Sequence, residues 1–382
     1  MIKLLLSIPT DRRRRIPAVL TLLCAVIFAC SSSNSSAPTS AQTSDVIVDV
    51  IEDVADNTPT CDATKRPFVF AHGFLAAGDT IANHAMRFES NGYCLDRIYA
   101  FDWNTLQQGD DHTGNLDAFI DNVLSETGAT QVDLAGHSAG GGLGYSYLAT
   151  PERAAKVAHY VHIGSQSQSG PTSVPTLNLW SEGDAIIGDK GDIPGATNVN
   201  LVTEEHYSVA TSALSFDAIY RFIHDGEAPA TTDITSHPTR TVQGKVLTLG
   251  ENIVGVNTSV DIYECDTATG FRKADTPTAA LVTDENGHWG PFEAADGVRY
   301  EFHVYSDNPD SRPVHYYFEP FERSNPFVYL RTLPGPGSLA GMLIGSLPNT
   351  DSASTIVVFS ASHAMLAGTD SLTIDGVELL TS

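Results

Sequence analysis

Basic residues are scarce in this sequence. It contains 21 Lys and Arg against 46 Asp and Glu, which gives a formal net charge of −25 at pH 7. Charge does not attract so acidic a chain to nucleic acid or to an anionic lipid surface, so we expect no nucleic-acid partner. No apolar run reaches the roughly 18–20 residues that a transmembrane helix needs.

Cysteine is also scarce, with five residues in 382. No spacing of Cys and His resembles a zinc site, so we expect no metal. The hydrophobic fraction of 42% is too high for a disordered chain. The length suggests two domains of about 100–200 residues each.

The N-terminus has the layout of an export signal. Lys3 and the arginines at 12–15 precede an apolar stretch, as in a secretory signal peptide, which we predict over residues 1–29. The stretch ends in IFAC, in which Cys30 resembles the lipidated cysteine of bacterial lipoproteins. We therefore expect a cell-envelope protein, at the outer membrane or cell surface, with a membrane anchor at Cys30 and a flexible tether over residues 30–60. Ordinary secretion with an incidental Cys30 is the alternative.

Two of the remaining cysteines closely flank the first strands of the globular part. These are Cys61 and Cys94, and because an exported protein can keep disulfides, we predict that they are bonded to each other. Cys265 is then left over, and we expect it to be a buried free thiol.

Strand-like and helix-like patterns alternate over residues 61–226. Between the strands, apolar residues recur at helical spacing, as at 116–124 and 219–223. This alternation predicts an α/β domain with a doubly wound, mostly parallel sheet. The strand-like runs are residues 67–71, 97–103, 131–135, 157–163, 175–180 and 197–202.

Residues 136–140 read GHSAG, after one of these strands and before a stretch of small residues that we interpret as a helix. A sharp strand-to-helix turn of this kind lifts a serine above the sheet as a nucleophile. Gly136 and Gly140 are needed there because a Cβ would clash, and His137 completes the pentapeptide around Ser138.

A serine hydroxyl needs a base, and the base needs an orienting carboxylate. After such an elbow, the acid and then the histidine follow later strands. Asp184 follows the strand at 175–180, and His206 follows the strand at 197–202. We therefore predict Ser138, Asp184 and His206 as a catalytic triad.

Other residues compete for these roles. Asp189 and Asp192 lie in the same loop as Asp184 and remain alternatives to it. We expect His159 and His162 to be packed or surface strand residues, and His224 to be a cation that complements the end of the last helix.

An acyl-transfer site also needs backbone donors for the developing oxyanion. Residues 72–74 read HGF directly after the first strand. We assign one donor to the amide of Phe74 and the other to the amide of Ala139, which follows the nucleophile.

Several long segments together resemble one family. They are HGF at 72–74 and the stretches 86–105, 132–140, 151–164 and 196–206. With them the chain resembles the secreted bacterial and archaeal lipases of the α/β-hydrolase fold, above all the archaeal type in which a β-rich lipid-binding domain follows the catalytic domain. The resemblance implies hydrolysis of carboxylic esters with a lipase-like preference, without metal or cofactor.

The sequence departs from that relative in two places. A carboxylate of the relative corresponds to a position near Gly164, which leaves Asp184 as the acid here. The relative's long helical insert after the 97–103 strand is reduced to the polar residues 104–115, too short for an apolar lid. If anything covers Ser138, we expect the second domain to supply it through the aromatic residues at 316–321.

After a turn-rich linker at 227–240, residues 241–382 lose helical periodicity and show short alternating strands. This pattern predicts a smaller all-β sandwich, and residues 241–305 resemble transthyretin-like or carboxypeptidase-regulatory-like modules.

The whole sequence predicts a serine ester hydrolase that acts on lipids or related acyl esters. An esterase or polyester depolymerase with the same triad is the first alternative, and an amidase or peptidase shares the chemistry. A non-catalytic cell-surface binding protein on a hydrolase scaffold is the third, but all three triad residues are present in order.

Overall fold

A computed structural model describes most of the chain. Most of the signal peptide's apolar stretch, Cys30 and the predicted tether lie outside the described residues. Two short strands, β1 (Lys3–Pro9) and β2 (Thr21–Leu23), precede the globular part. The described residues are 3–9, 21–23, 61–107, 109–306, 312–335, 337–344, 353–358, 363–365, 367, 370–374 and 376–380.

The first domain is built on a six-stranded, all-parallel sheet, as predicted. The strand order is β4-β3-β5-β6-β7-β8. In such a sheet every strand's carboxyl end meets the same edge, where loops can bring distant residues together. The strands are β3 (Phe68–Ala71), β4 (Ile98–Phe101), β5 (Val132–His137), β6 (Val157–Ile163), β7 (Thr176–Trp180) and β8 (Thr197–Asn200).

Helices cover both faces of this sheet. Alternate residues of β3 enter different cores: Phe68 and Phe70 pack with helices α1 and α5, whereas Val69 and Ala71 pack with α2, α3 and α4. The doubly wound α/β prediction is therefore confirmed. The helices are α1 (Ala82–Ser90), α2 (His112–Thr127), α3 (Ala139–Leu148), α4 (Pro151–Ala154) and α5 (Ala213–Ile223).

The second domain is the predicted β-sandwich. A four-stranded antiparallel sheet, β11-β10-β13-β14, faces a three-stranded sheet, β12-β9-β15, across an apolar core that contains Trp289 and Phe302. The strands are β9 (Thr241–Thr248), β10 (Ser259–Cys265), β11 (Ala279–Val282), β12 (His288–Glu293), β13 (Arg299–Tyr305), β14 (Val314–Phe318) and β15 (Leu330–Thr332).

The expectation that the aromatic residues at 316–321 could cover the nucleophile is wrong. Tyr316, Phe318 and Phe321 pack into the core of the sandwich, because their strand is half-buried against it. Only Tyr317 of this run is largely exposed. These side chains therefore stabilise their own domain.

Short elements follow the sandwich. Helix α6 (Leu339–Ile344) was not predicted, since six residues are too few to show a helical period. Strand β16 (Ala353–Val357) pairs with β1, which also pairs with β2. The last strands are β17 (Thr373–Ile374) and β18 (Val377–Glu378).

The three cysteines in the described residues are arranged as predicted. Cys61 and Cys94 form a disulfide with a Cα–Cα distance of 4.7 Å. Cys265 is a buried free thiol, and burial raises its pKa. The disulfide ties the start of the described catalytic domain to the segment before β4.

Candidate active site

Ser138 lies at the sharp turn between β5 and α3. Its backbone has φ = 55° and ψ = −117°, a strained conformation for a residue with a side chain. A Cβ on Gly136 would lie 2.2 Å from the carbonyl oxygen of Gly140, and a Cβ on Gly140 would lie 2.2 Å from that of Ala71. The predicted steric need for both glycines is therefore present in the packing of the turn.

The structure brings the three predicted triad residues into hydrogen-bonding contact. Nε2 of His206 lies 3.1 Å from Oγ of Ser138, and Nδ1 of His206 lies 2.8 Å from Oδ2 of Asp184. A carboxylate can only accept, so Nδ1 carries the proton and Nε2 is free to accept the serine proton. This is the tautomer that a general base requires.

Asp184 is held in place as an anion. Its side chain is 1% exposed, and Oδ1 accepts hydrogen bonds from the amides of Ile186 and Ile187 at 2.8 and 3.2 Å. Burial alone would raise the pKa of Asp184, but its contact with His206 and these two amides outweigh burial and lower it. The carboxylate therefore stays charged at neutral pH and can stabilise an imidazolium.

The loops after β7 and β8 carry supports that the sequence did not indicate. The carboxylate of Glu205 accepts from the amides of Tyr207 and Ser208, each at 2.8 Å, which closes the turn that carries His206. Nζ of Lys190 donates to the carbonyl oxygen of Asp184 and, at 3.2 Å, to that of Ile187. Glu205 and Lys190 each contact residues only a few positions away in the chain. Polar residues are common in loops, so no sequence pattern marks these two as supports of the site.

The competing residues have other partners. Asp192 accepts from the indole nitrogen of Trp180 at 2.9 Å, and the carboxylate that contacts His206 is that of Asp184, not that of Asp189. His159 pairs with Asp133, and His162 faces the carbonyl oxygen of Gln166.

His224 differs from its prediction as a helix-end cation. It stacks on Tyr220 with ring centroids 4.1 Å apart. Burial lowers its pKa, so the ring is neutral at neutral pH, although its Nδ1 does contact the carbonyl oxygen of Tyr220 near the end of α5. Desolvation of the ring therefore outweighs the attraction of the helix end for a positive charge.

The predicted oxyanion residues flank the nucleophile. A Cβ on Gly73 would lie 3.0 Å from Cβ of Ser138, so the loop that carries Phe74 passes directly beside the nucleophile. Ala139 is the first residue of α3. First-turn amides have no acceptor within their own helix, so they are available to a ligand.

His137 also contacts His206, which its place in the pentapeptide does not indicate. Its Nε2 donates to the carbonyl oxygen of His206 at 2.9 Å, and the two rings lie 4.8 Å apart. Burial, with the neighbouring His206, lowers the pKa of His137 to about 3, so the ring is neutral.

Within the described ranges, no group of three or more His, Cys, Asp or Glu side chains is placed to hold a metal ion. In the same ranges, no helix is long and apolar enough to cross a membrane.

Comparison with known families agrees with this geometry. Residues 65–150 match the sequence model described as Lipase (class 2), and residues 239–333 match the Lipase C-terminal domain. The chain therefore carries a segment similar to class 2 lipases, followed by a segment similar to the C-terminal domain of lipases. These matches support a carboxylic ester hydrolase.

Solved structures similar to this hydrolase include lipases and esterases. Aspergillus fumigatus lipase B is 12% identical, with a TM-score of 0.35, over 44% of this chain and 54% of its own. The chain thus spans about half of that enzyme. An esterase from a Rhodococcus species is 16% identical with a TM-score of 0.36, over 44% and 94%. Bacillus licheniformis lipase, in mature form, is 16% identical with a TM-score of 0.35, over 44% and 96%.

Proposed function

We propose that this hydrolase cleaves acyl esters of lipids through an acyl-enzyme intermediate on Ser138. His206 acts as the general base and Asp184 as its orienting carboxylate. The observation that carries the proposal is the unbroken hydrogen-bond chain from Oγ of Ser138 through His206 to Asp184, with distances of 3.1 and 2.8 Å.

The reaction proceeds in two halves. Nε2 of His206 takes the proton of Ser138 as Oγ attacks the ester carbonyl carbon, and the resulting oxyanion accepts from the amides of Phe74 and Ala139. The tetrahedral species collapses, the ester C–O bond breaks, and His206 returns the proton to the leaving alcohol. Water then attacks the acyl-enzyme by the same route and releases the acid.

Apolar side chains beside the triad support a lipid substrate. Phe74 is 52% exposed next to the loop that touches Ser138, and Ile186, whose amide bonds Asp184, is 58% exposed. Exposed apolar residues in the loops that carry the proposed oxyanion donor and the acid favour an acyl chain over a polar group, because burial of the chain removes apolar surface from water.

The function is tested by Ser138→Ala, with Ser146→Ala in the same helix as the matched control. We expect Ser138→Ala to lose at least about 10³-fold in kcat on p-nitrophenyl esters and to lose labelling by a fluorophosphonate. Ser146→Ala, which removes only a hydroxyl bonded to the carbonyl of Gly142, should retain both. Equal activity of the two variants would contradict the mechanism.

The acyl-length profile tests the substrate class. A lipase-like enzyme should hydrolyse long-chain esters and emulsified triglyceride as well as short ones. Activity confined to short soluble esters, or to a polyester film, would instead support the esterase or depolymerase alternative.

We also propose that the protein is exported and anchored through Cys30. The basic and apolar leader and the Cys61–Cys94 disulfide support export, because disulfides persist in oxidising compartments. Metabolic labelling with a fatty acid should label the wild type and not Cys30→Ser. Equal absence of label from both would support simple secretion.

A further inference from the structure

One side chain of the second domain reaches the loop that carries Phe74. Nδ2 of Asn252 lies 2.7 Å from the carbonyl oxygen of Ala76, 3.1 Å from that of Trp103 and 3.2 Å from Nε2 of His72. All three are acceptors, and they belong to the catalytic domain. The amide nitrogen of Asn252 carries only two hydrogens, so two of the three acceptors share one of them.

The turn that presents Asn252 is internally braced. Its backbone has φ = 55°, in the left-handed region that Asn tolerates better than most residues. The amide of Asn252 donates to the carbonyl oxygen of Thr248 at 3.1 Å, and the amide of Thr248 donates to that of Ile253 at 2.8 Å. These hydrogen bonds fix the backbone of the turn, and with it the position of the Asn252 side chain.

His72 transmits this contact toward the nucleophile. The residue is fully buried, and its Nε2 accepts from the amide of Trp103 at 3.1 Å as well as facing Asn252. Its Nδ1 must then carry the proton, which it donates to the carbonyl oxygen of Gly73 at 2.8 Å. Burial lowers the pKa of His72 to about 4, against an opposing effect of Asp102, so this neutral form persists at neutral pH.

The direction of the Phe74 amide follows from that bond. The carbonyl oxygen of Gly73 also accepts from the amide of Ala76 at 3.2 Å, so it is fixed from two sides. In a trans peptide the C=O and the following N–H point in opposite directions. Fixing the Gly73 carbonyl therefore fixes where the Phe74 N–H points.

We propose that Asn252 is a positioning residue for the oxyanion hole, so that the second domain completes the active site. The proposal rests on the proposed function, in which the Phe74 amide is an oxyanion donor. Asn252 acts through His72 and the Gly73 peptide and does not touch the substrate.

Two ion pairs between the domains lie close to the loop that carries Phe74. Arg331 pairs with Asp79 at 2.5 Å with both side chains buried, and Lys245 pairs with Asp102 at 2.7 Å. Oδ1 of Asp102 in turn accepts from the amide of Gly78 at 2.7 Å. One ion pair thus fixes the second domain to Asp79, just beyond the oxyanion loop, and the other fixes it to Asp102, which bonds the same segment through Gly78. Both contacts keep Asn252 in register with His72.

The test compares Asn252→Gly with Asn257→Gly in the full chain. Both asparagines have a left-handed backbone, φ 55° and 52°, so glycine relieves the same strain at each. Asn257 is exposed, and its substitution leaves the oxyanion loop untouched. Kinetics are measured on a soluble p-nitrophenyl ester below its solubility limit, so that binding to a lipid surface does not contribute.

We expect Asn252→Gly to lower kcat about 10–100-fold with little change in KM, short of the 10²–10³ that removal of an oxyanion donor costs. Inhibition by a boronic acid that mimics the tetrahedral species should weaken by a similar factor, and the ¹⁵N resonance of His72 Nε2 should shift. Asn257→Gly should behave as the wild type. A kcat for Asn252→Gly equal to that of Asn257→Gly, or a loss in KM alone, would overturn the proposal. Failure of the proposed function itself would show separately, as an active Ser138→Ala variant.

Discussion

The side chain of His137 donates a hydrogen bond to the backbone carbonyl of His206 at 2.9 Å. The residue before the proposed nucleophile is therefore bonded to the residue that we propose as its base. The bond requires a proton on Nε2 of His137, and because burial lowers the pKa of this ring to about 3, Nδ1 carries none at neutral pH. Two loops that follow different strands are thus fixed to each other at the proposed site of proton transfer.

Replacing His137 tests this contact. His137→Leu removes the donor, and we expect kcat to fall about tenfold, the equivalent of about one net hydrogen bond. His137→Gln places an amide nitrogen near the position of Nε2 and should recover most of the rate. If Gln and Leu lower kcat equally while both proteins keep the wild-type melting temperature, the hydrogen bond has no role in positioning His206.

Two glycines near Ser138 provide a matched pair for the steric argument. A Cβ on Gly136 would lie within 2.2–2.8 Å of backbone atoms of Gly140 and Gly141, whereas a Cβ on Gly142 meets nothing within 4 Å. Gly136→Ala should lower the free energy of unfolding by about 1–3 kcal/mol and abolish most activity. Gly142→Ala, in the interior of helix α3, should keep activity and raise stability by up to about 1 kcal/mol. Thermal unfolding and ester hydrolysis measure both effects, and normal activity of Gly136→Ala would contradict the elbow geometry.

The juxtaposition of the three proposed triad residues was predictable because each follows a strand-like run of the first domain. Ser138, Asp184 and His206 come after β5, β7 and β8, and the parallel sheet brings those strand ends to one edge. The contact of Asn252 with His72 was not predictable, since it joins residues 180 positions apart across two domains. No local period or motif marks such a pair, because it depends on how the domains pack.

In the fold, too, local sequence patterns predicted some features, whereas others depend on packing. The repeated strand–helix alternation indicated the α/β domain, and a period of two indicated the sandwich. The edge strand β11 is not marked in the sequence, because its four residues, AALV, do not alternate in polarity. The lid expectation failed because an aromatic run in a half-buried strand is as compatible with a core as with a flap, and only the packing decides between them.

The Cys61–Cys94 disulfide should stabilise the catalytic domain. It joins residues 33 positions apart, a separation for which the chain-entropy model gives roughly 3–4 kcal/mol. We expect the Cys61→Ser, Cys94→Ser double variant to lose about that much in free energy of unfolding by urea denaturation. Cys265→Ala, which removes a buried free thiol, is the comparison for the loss of a cysteine without loss of a bond. Unchanged stability of the double variant would contradict the assignment.

Asp184 and Asp192 form a matched pair for the choice of acid. Asp184→Asn places an amide donor opposite Nδ1 of His206, which favours the tautomer with the proton on the wrong nitrogen. We expect kcat to fall on the order of 10⁴. Asp192 bonds the indole of Trp180, and Asp192→Asn should retain the rate. The reverse ranking of the two variants in kcat would identify Asp192 as the acid.

Acid sensitivity should come partly from His84 in helix α1. This side chain is fully buried, and its Nε2 has no hydrogen-bond partner in the described part of the chain. Burial, with the nearby charge of Arg87, holds its pKa well below the ordinary value. In the unfolded chain a histidine takes up a proton near pH 6.5.

Below that pH the unfolded state therefore binds more protons than the folded state, so the free energy of unfolding falls as the pH falls. The slope is about 1.4 kcal/mol per pH unit for such a histidine, until the folded-state pKa is reached. We expect His84→Leu to flatten the dependence of stability on pH between about 6 and 5 by on the order of 1 kcal/mol per unit. His288→Leu is the control because His288 is 53% exposed, and it should leave the slope unchanged. Urea unfolding at several pH values measures both, and identical slopes for His84→Leu and the wild type would mean that His84 is protonated in the folded protein.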